Sequence, residues 1–93
     1  MIVGFADKHT EALYRGSVPK RFPADVRRRM IQKLQILNAA VRLDDLRVPS
    51  GNRLEALVGN RAGYHSMRIN DQWRIFFRWM SDGPNDVEIT AYH

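Results

Sequence analysis

Polar and apolar residues alternate most regularly in the last third of the chain. Gly63 to Ile69 and Gln72 to Met80 form two alternating runs, with Asn70-Asp71 between them. Such runs flanking two turn-forming residues predict a β-hairpin. With Asn70 and Asp71 as a two-residue loop, Met67 faces Arg74, His65 faces Phe76, Ser66 faces Ile75 and Tyr64 faces Phe77. Opposed residues share a face of the sheet. One face then carries Tyr64, Trp73, Ile75, Phe77 and Trp79 and reads as the core face. The second carries His65, Met67, Arg74, Phe76 and Arg78 and reads as an open cationic face with aromatics interleaved. A third alternating run, from Asp86 to His93, predicts a further strand.

Upstream the period becomes helical. Val26, Met30, Leu34, Leu37 and Val41 recur at three- and four-residue spacing and predict a helix from Pro23 to about Ala40. Proline suits its first turn. Arg27, Arg28, Arg29 and Lys33 lie mostly off the apolar stripe, on a basic face that suits nucleic acid, an acidic partner or solvent. Asp7 to Arg15 predicts a short helix with Ala12 and Leu13 inward, His9 on its surface and Gly16 ending it. Met1 to Phe5 reads as an edge strand or lead-in, and Ser17 to Pro23 as a connecting loop. Arg42 to Leu46 adds a helical turn with Leu43 and Leu46 inward. Pro49 to Asn52 is a turn, Arg53 to Val58 a short strand, Gly59-Asn60 a turn and Ser81 to Asn85 a loop. The layout is α+β: two N-terminal helices packed on one face of a small antiparallel sheet, in a single domain spanning 1–93.

Composition narrows the chemistry. A chain of 93 residues, 44% hydrophobic, supports one modest core. Cysteine is absent, which excludes disulfides, thiolate metal sites and cysteine nucleophiles and suits a reducing compartment. No leader pattern and no run of membrane-spanning length is seen, so a cytoplasmic protein without a membrane partner is expected. The formal charge of +5 favours a polyanionic partner. The three histidines lack metal-ligand spacing, and there is neither a phosphate-binding loop nor a nucleophile elbow. No cofactor is expected. What remains suits phosphodiester chemistry. Arg74 can bond a phosphate bidentately as its charge grows. His93 can act as acid or base near neutral pH, and Tyr92 can stack on a base or donate a hydrogen bond.

The stretch Asn52-Arg53-Leu54-Glu55-Ala56-Leu57, then Gly59-Asn60-Arg61-Ala62-Gly63, then Ser66 to Ile75, together with the Tyr92-His93 ending, resembles the HigB branch of the RelE-like bacterial toxins, its GraT-like members above all. The resemblance covers nearly the whole chain. It implies a toxin of a type II toxin–antitoxin pair that cleaves messenger RNA in the ribosomal A site. The ribose 2′-hydroxyl would attack the adjacent phosphate without a metal. The implied partners are the ribosome with its messenger and a helix-turn-helix antitoxin of the HigA kind, through which alone operator DNA would be bound. Arg74 matches the family's catalytic arginine, and Tyr92 and His93 its C-terminal pair. Arg53, Arg61, His65, Arg68 and Arg78 are the expected substrate-binding residues. Glu55 stands where some members have an active-site histidine, and serves as the base or is merely surface. Ala91 stands where the family commonly has aspartate, which implies a weakened toxin. Alternation gives Ala91 and His93 the parity of Val87 and Ile89 rather than that of Arg74. A gyrase-binding toxin of the same fold, like the ParE branch, and a non-cleaving RNA- or ribosome-binding module are the rival readings.

Overall fold

The longest helix forms where the apolar stripe predicts it. In the computed structural model, which describes residues 1–91, α1 spans Lys8–Tyr14 and α2 spans Ala24–Ala39. The side chain of Asp7 caps α1 by accepting from the Thr10 amide. Val26, Met30, Leu34 and Leu37 of α2 are buried against the sheet. The stripe ends one turn earlier than expected, because the chain leaves the helix at Ala40 in an extended conformation and Val41 is exposed. His9 is half-buried rather than on the surface.

The sheet contains β1 (Glu55–Ala56), β2 (Tyr64–Arg68), β3 (Trp73–Met80) and β4 (Gly83–Ala91), all antiparallel and in chain order. Short 3-10 turns at Leu43–Arg47, Ser50–Asn52 and Gly59–Arg61 occupy the connections. The predicted strand from Arg53 to Val58 contracts to two residues. The predicted last loop is a tighter turn, so β4 starts at Gly83. The lead-in runs parallel to β4 through a bridge between Phe5 and Val87.

The hairpin register differs from expectation by one residue. Arg68 opposes Arg74, Met67 opposes Ile75, His65 opposes Phe77 and Tyr64 opposes Arg78. The Asn70 side chain explains the slip. Its carbonyl oxygen accepts from the amides of Gln72 and Trp73, and the Ile69 amide donates to the Trp73 carbonyl. The turn therefore needs three residues, and each β2 side chain moves to the opposite face. Met67 and His65 join Trp73, Ile75 and Phe77 on the helix side, whereas Tyr64 joins Phe76 on the open side. Met67, Ile75, Phe77, Val87 and Ile89 are fully buried. Phe22, from the proline-containing loop, completes this core by packing edge-on against Trp73 at 5.6 Å.

Candidate active site on the open face of the sheet

Arg74 is the centre of the open face, yet it is only 4% exposed. Its position in β3 puts Arg68 on one side and Thr90 on the other. The chain before β1 passes over it. Arg74 Nη1 donates to Glu55 Oε1 at 2.8 Å, and Nη2 donates to the Arg53 carbonyl at 3.0 Å. Arg53 adopts a left-handed conformation with φ of 45°, uncommon for a residue with a side chain. That conformation turns its carbonyl toward the guanidinium. Two fixed acceptors hold Arg74 in one orientation, so little reorganisation accompanies the arrival of an anion. Glu55 differs from its partner, since its side chain is 55% exposed. A carboxylate open to solvent beside a buried guanidinium can take a proton from an incoming group.

A second cluster lies further along the face. Arg61 comes off the third 3-10 turn and reaches over the rings of Phe76 (4.8 Å) and Tyr64 (5.2 Å). Arg78 also approaches the Tyr64 ring, at 5.8 Å. Such contacts bury the arginine stems and leave the cationic ends beside flat apolar rings, a surface suited to bases and phosphates together. At Phe77 a bulge in β4 shifts the register, and Asp86 takes φ of 51° there. The bulge places Asp86 next to Arg78 at 3.5 Å.

Each arginine of this face has a carboxylate close by: Arg61 with Glu88, Arg68 with Asp71, Arg74 with Glu55 and Arg78 with Asp86. All four carboxylates are partly or largely exposed. The pairs of Arg61, Arg68 and Arg78 are solvent-accessible and of a kind that typically contributes only ~0–1 kcal/mol each, whereas the Arg74 guanidinium is buried. A phosphate chain can therefore take over Arg61, Arg68 and Arg78 at small cost, while the acids keep the empty face from repelling itself.

The structure brings together Arg74, Glu55, Arg61, Arg68 and Arg78, with Arg53 contributing through its backbone. His65 is not among them. Its ring stacks on Phe77 on the helix side, with centroids 6.0 Å apart, because the register slip reverses its direction. Tyr64 takes the place expected of it, an exchange invisible to alternation alone. Arg74 is on the expected face but buried rather than exposed, because the segment carrying Arg53 and Glu55 covers it. Ala91 opposes Trp73 and keeps the helix-side parity anticipated for it. Tyr92 and His93, expected to complete the catalytic set, lie outside the described residues. Among the described residues, no group of histidines and carboxylates could hold a metal ion.

The family model for the HigB-like toxin, a RelE-like toxin of type II toxin–antitoxin systems, matches residues 3–93. Toxin HigB-1 of Vibrio cholerae is 41% identical over 81 residues, covering 86% of this chain and 85% of that toxin. Endoribonuclease HigB of Proteus vulgaris is 28% identical over 93 residues and matches the full length of both chains. The crystal structure of YafQ from E. coli superposes with a TM-score of 0.61 at 13% identity, covering 98% of this chain and 91% of that one, a likeness of fold.

Proposed function

This chain belongs to the HigB-like family of RelE-like toxins of type II toxin–antitoxin systems, and from that premise we propose that it is an endoribonuclease cleaving messenger RNA in the ribosomal A site without a metal. The observation that carries the reading is the Arg74–Glu55 pair, a buried and oriented guanidinium beside a carboxylate open to solvent. In this reaction Glu55 accepts the proton of a ribose 2′-hydroxyl. The oxygen attacks the neighbouring phosphorus, and the bond from phosphorus to the 5′-oxygen breaks, leaving a cyclic phosphate and a free 5′-hydroxyl. Arg74 stabilises the charge that gathers on the phosphoryl oxygens. Tyr92 and His93 supply base stacking and the proton for the leaving oxygen. Arg61, with Tyr64 and Phe76, holds the nucleotides alongside.

Family membership implies an antitoxin. We assign to it a helix-turn-helix architecture of the HigA kind, through which the pair reaches operator DNA, and place the toxin's work in the bacterial cytoplasm. The test is cleavage of messenger on programmed ribosomes by the native chain and by Arg74→Ala. Removing one stabiliser of transition-state charge should slow cleavage by ~10²–10³ with the fold retained. Full-rate cleavage by Arg74→Ala would remove Arg74 from the mechanism. Inhibition of gyrase supercoiling without RNA cleavage would replace the reading with the gyrase-binding one.

A further inference from the structure

The two-residue β1 leaves the Arg68 end of β2 without a neighbouring strand, and the 3-10 turn Ser50–Asn52 lies there instead. Between this turn, α2 and the hairpin is a cavity of about 180 Å³ lined by Arg29, Gln32, Lys33, Gly51, Arg68 and Ile69. Three of the six are cations. Burial, then the like charges of Arg29 and Arg68, holds the Lys33 ammonium below the ordinary lysine value. Lys33 is anchored by donating to the Asn52 side chain, and Asn52 is itself fully buried and donates to the carbonyls of Leu46 and Val48. Among the described residues, Arg29 and Lys33 have no carboxylate within ion-pairing distance, and Arg68 has only Asp71, whose side chain is 94% exposed.

We propose that this cavity is a second phosphate site for RNA, binding a backbone phosphate next to the one cleaved. The proposal rests on the endoribonuclease reading and extends it. A phosphate is a compact anion that can accept from the guanidinium, ammonium and amide donors at once, and it relieves the mutual repulsion of the three cations. Arg68 connects the two sites, because it faces Arg74 directly across the hairpin. One strand of RNA can therefore pass from the Arg61 clamp over Arg74 and around the sheet edge to α2. The basic face of α2 thereby gains a partner, where sequence alone leaves nucleic acid, an acidic partner and solvent open.

The test uses the full-length toxin and a fluorescent 2′-O-methyl RNA oligonucleotide, which lacks the attacking hydroxyl and stays intact. Affinity is measured across a range of salt. For single strands the slope of log affinity against log salt changes by ~0.7 for each phosphate contact. Lys33→Met and Arg29→Gln should each shallow the slope by about that amount. Gly51→Asp is the second variant. An added Cβ at Gly51 has no atom within 4 Å, so the fold has room for the side chain and the cavity gains a negative charge. It should weaken RNA binding, whereas Gly51→Ala should not. Inorganic phosphate alone should shift the Gly51 and Ile69 amide resonances more weakly than RNA does; shifts with phosphate but none with RNA would overturn the proposal. Unchanged slopes in both charge variants, with Arg61→Gln still shallowing its own, would overturn it while leaving the endoribonuclease reading intact. A loss confined to antitoxin binding would assign the cavity to the protein partner and overturn it too.

Discussion

His65 and Ala91 are the two positions where single residues have the most to say. Burial, then the Arg47 charge, holds the His65 imidazole below the ordinary histidine value. The folded state therefore binds fewer protons than the unfolded chain as pH falls through about 6.5. Stability from this group is complete above that pH and is lost as pH drops toward the folded value. The His65 ring resonances should titrate with a midpoint below 6.5, and His65→Gln should lessen the drop in Tm between pH 7 and pH 5. A midpoint above the ordinary value would contradict the burial argument. Ala91 concerns activity instead. We infer that a carboxylate at this position would favour the protonated form of His93, a contribution alanine does not make. Ala91→Asp should then raise both growth inhibition and messenger cleavage, with antitoxin binding unchanged. An Ala91→Asp variant no more active than this chain would make the acid dispensable. Arg53 separates backbone from side chain: Arg53→Gly keeps the carbonyl that Arg74 uses and suits the left-handed conformation. It should leave Tm unchanged or higher, and any loss of RNA affinity then belongs to the guanidinium.

Elements were legible wherever their periodicity was long. The α2 stripe from Val26 to Leu37 and the alternation of Trp73, Ile75 and Phe77 carried through to the core. The hairpin register did not, because Asn70 bonds two amides ahead of it, and that side-chain choice leaves no trace in an apolar–polar pattern. The same slip moved His65 off the open face and put Tyr64 there. Phe22 was missed as core for a related reason, since one aromatic in a proline-containing loop has no period. Arg74 and its surroundings were legible as residue types but not as a buried pair, which depends on the fold-back of Arg53 and Glu55. Docking of α1 was also hidden. Thr10 is fully buried; its hydroxyl accepts from the Ile89 amide at 2.9 Å and donates to Asp7. Thr10→Val keeps the shape and strands the buried Ile89 amide. It should cost about 1–3 kcal/mol, read as a fall in denaturation midpoint with the slope retained. A neutral result would mean that strand and helix are coupled by packing alone.

For the whole molecule, charge and chain closure matter most. A net charge of +5, with four arginines on the open face, predicts ribosome association that weakens as salt rises. Association measured by co-sedimentation across a salt series should show it, and salt-insensitive binding would count against phosphate recognition. The α+β layout itself was readable from the order of periodicities, but the way the chain closes on itself was not. The beginning of the chain lies against β4: the Val3 amide donates to the Pro84 carbonyl, Ala6 to Val87, and Val87 back to Gly4. Gly83 approaches the Met1 carbonyl so closely that a Cβ there would stand 2.3 Å from it. During synthesis, Val3 to Ala6 must therefore wait for Pro84 to Val87 before they find their partners. Until β4 emerges, β3 lacks its outer neighbour, α1 lacks the strand that Thr10 holds, and Arg74 lacks half its setting. A copy that has not yet released β4 therefore lacks the closed sheet on which Arg74 is set, and we infer that it is inactive until that strand is in place.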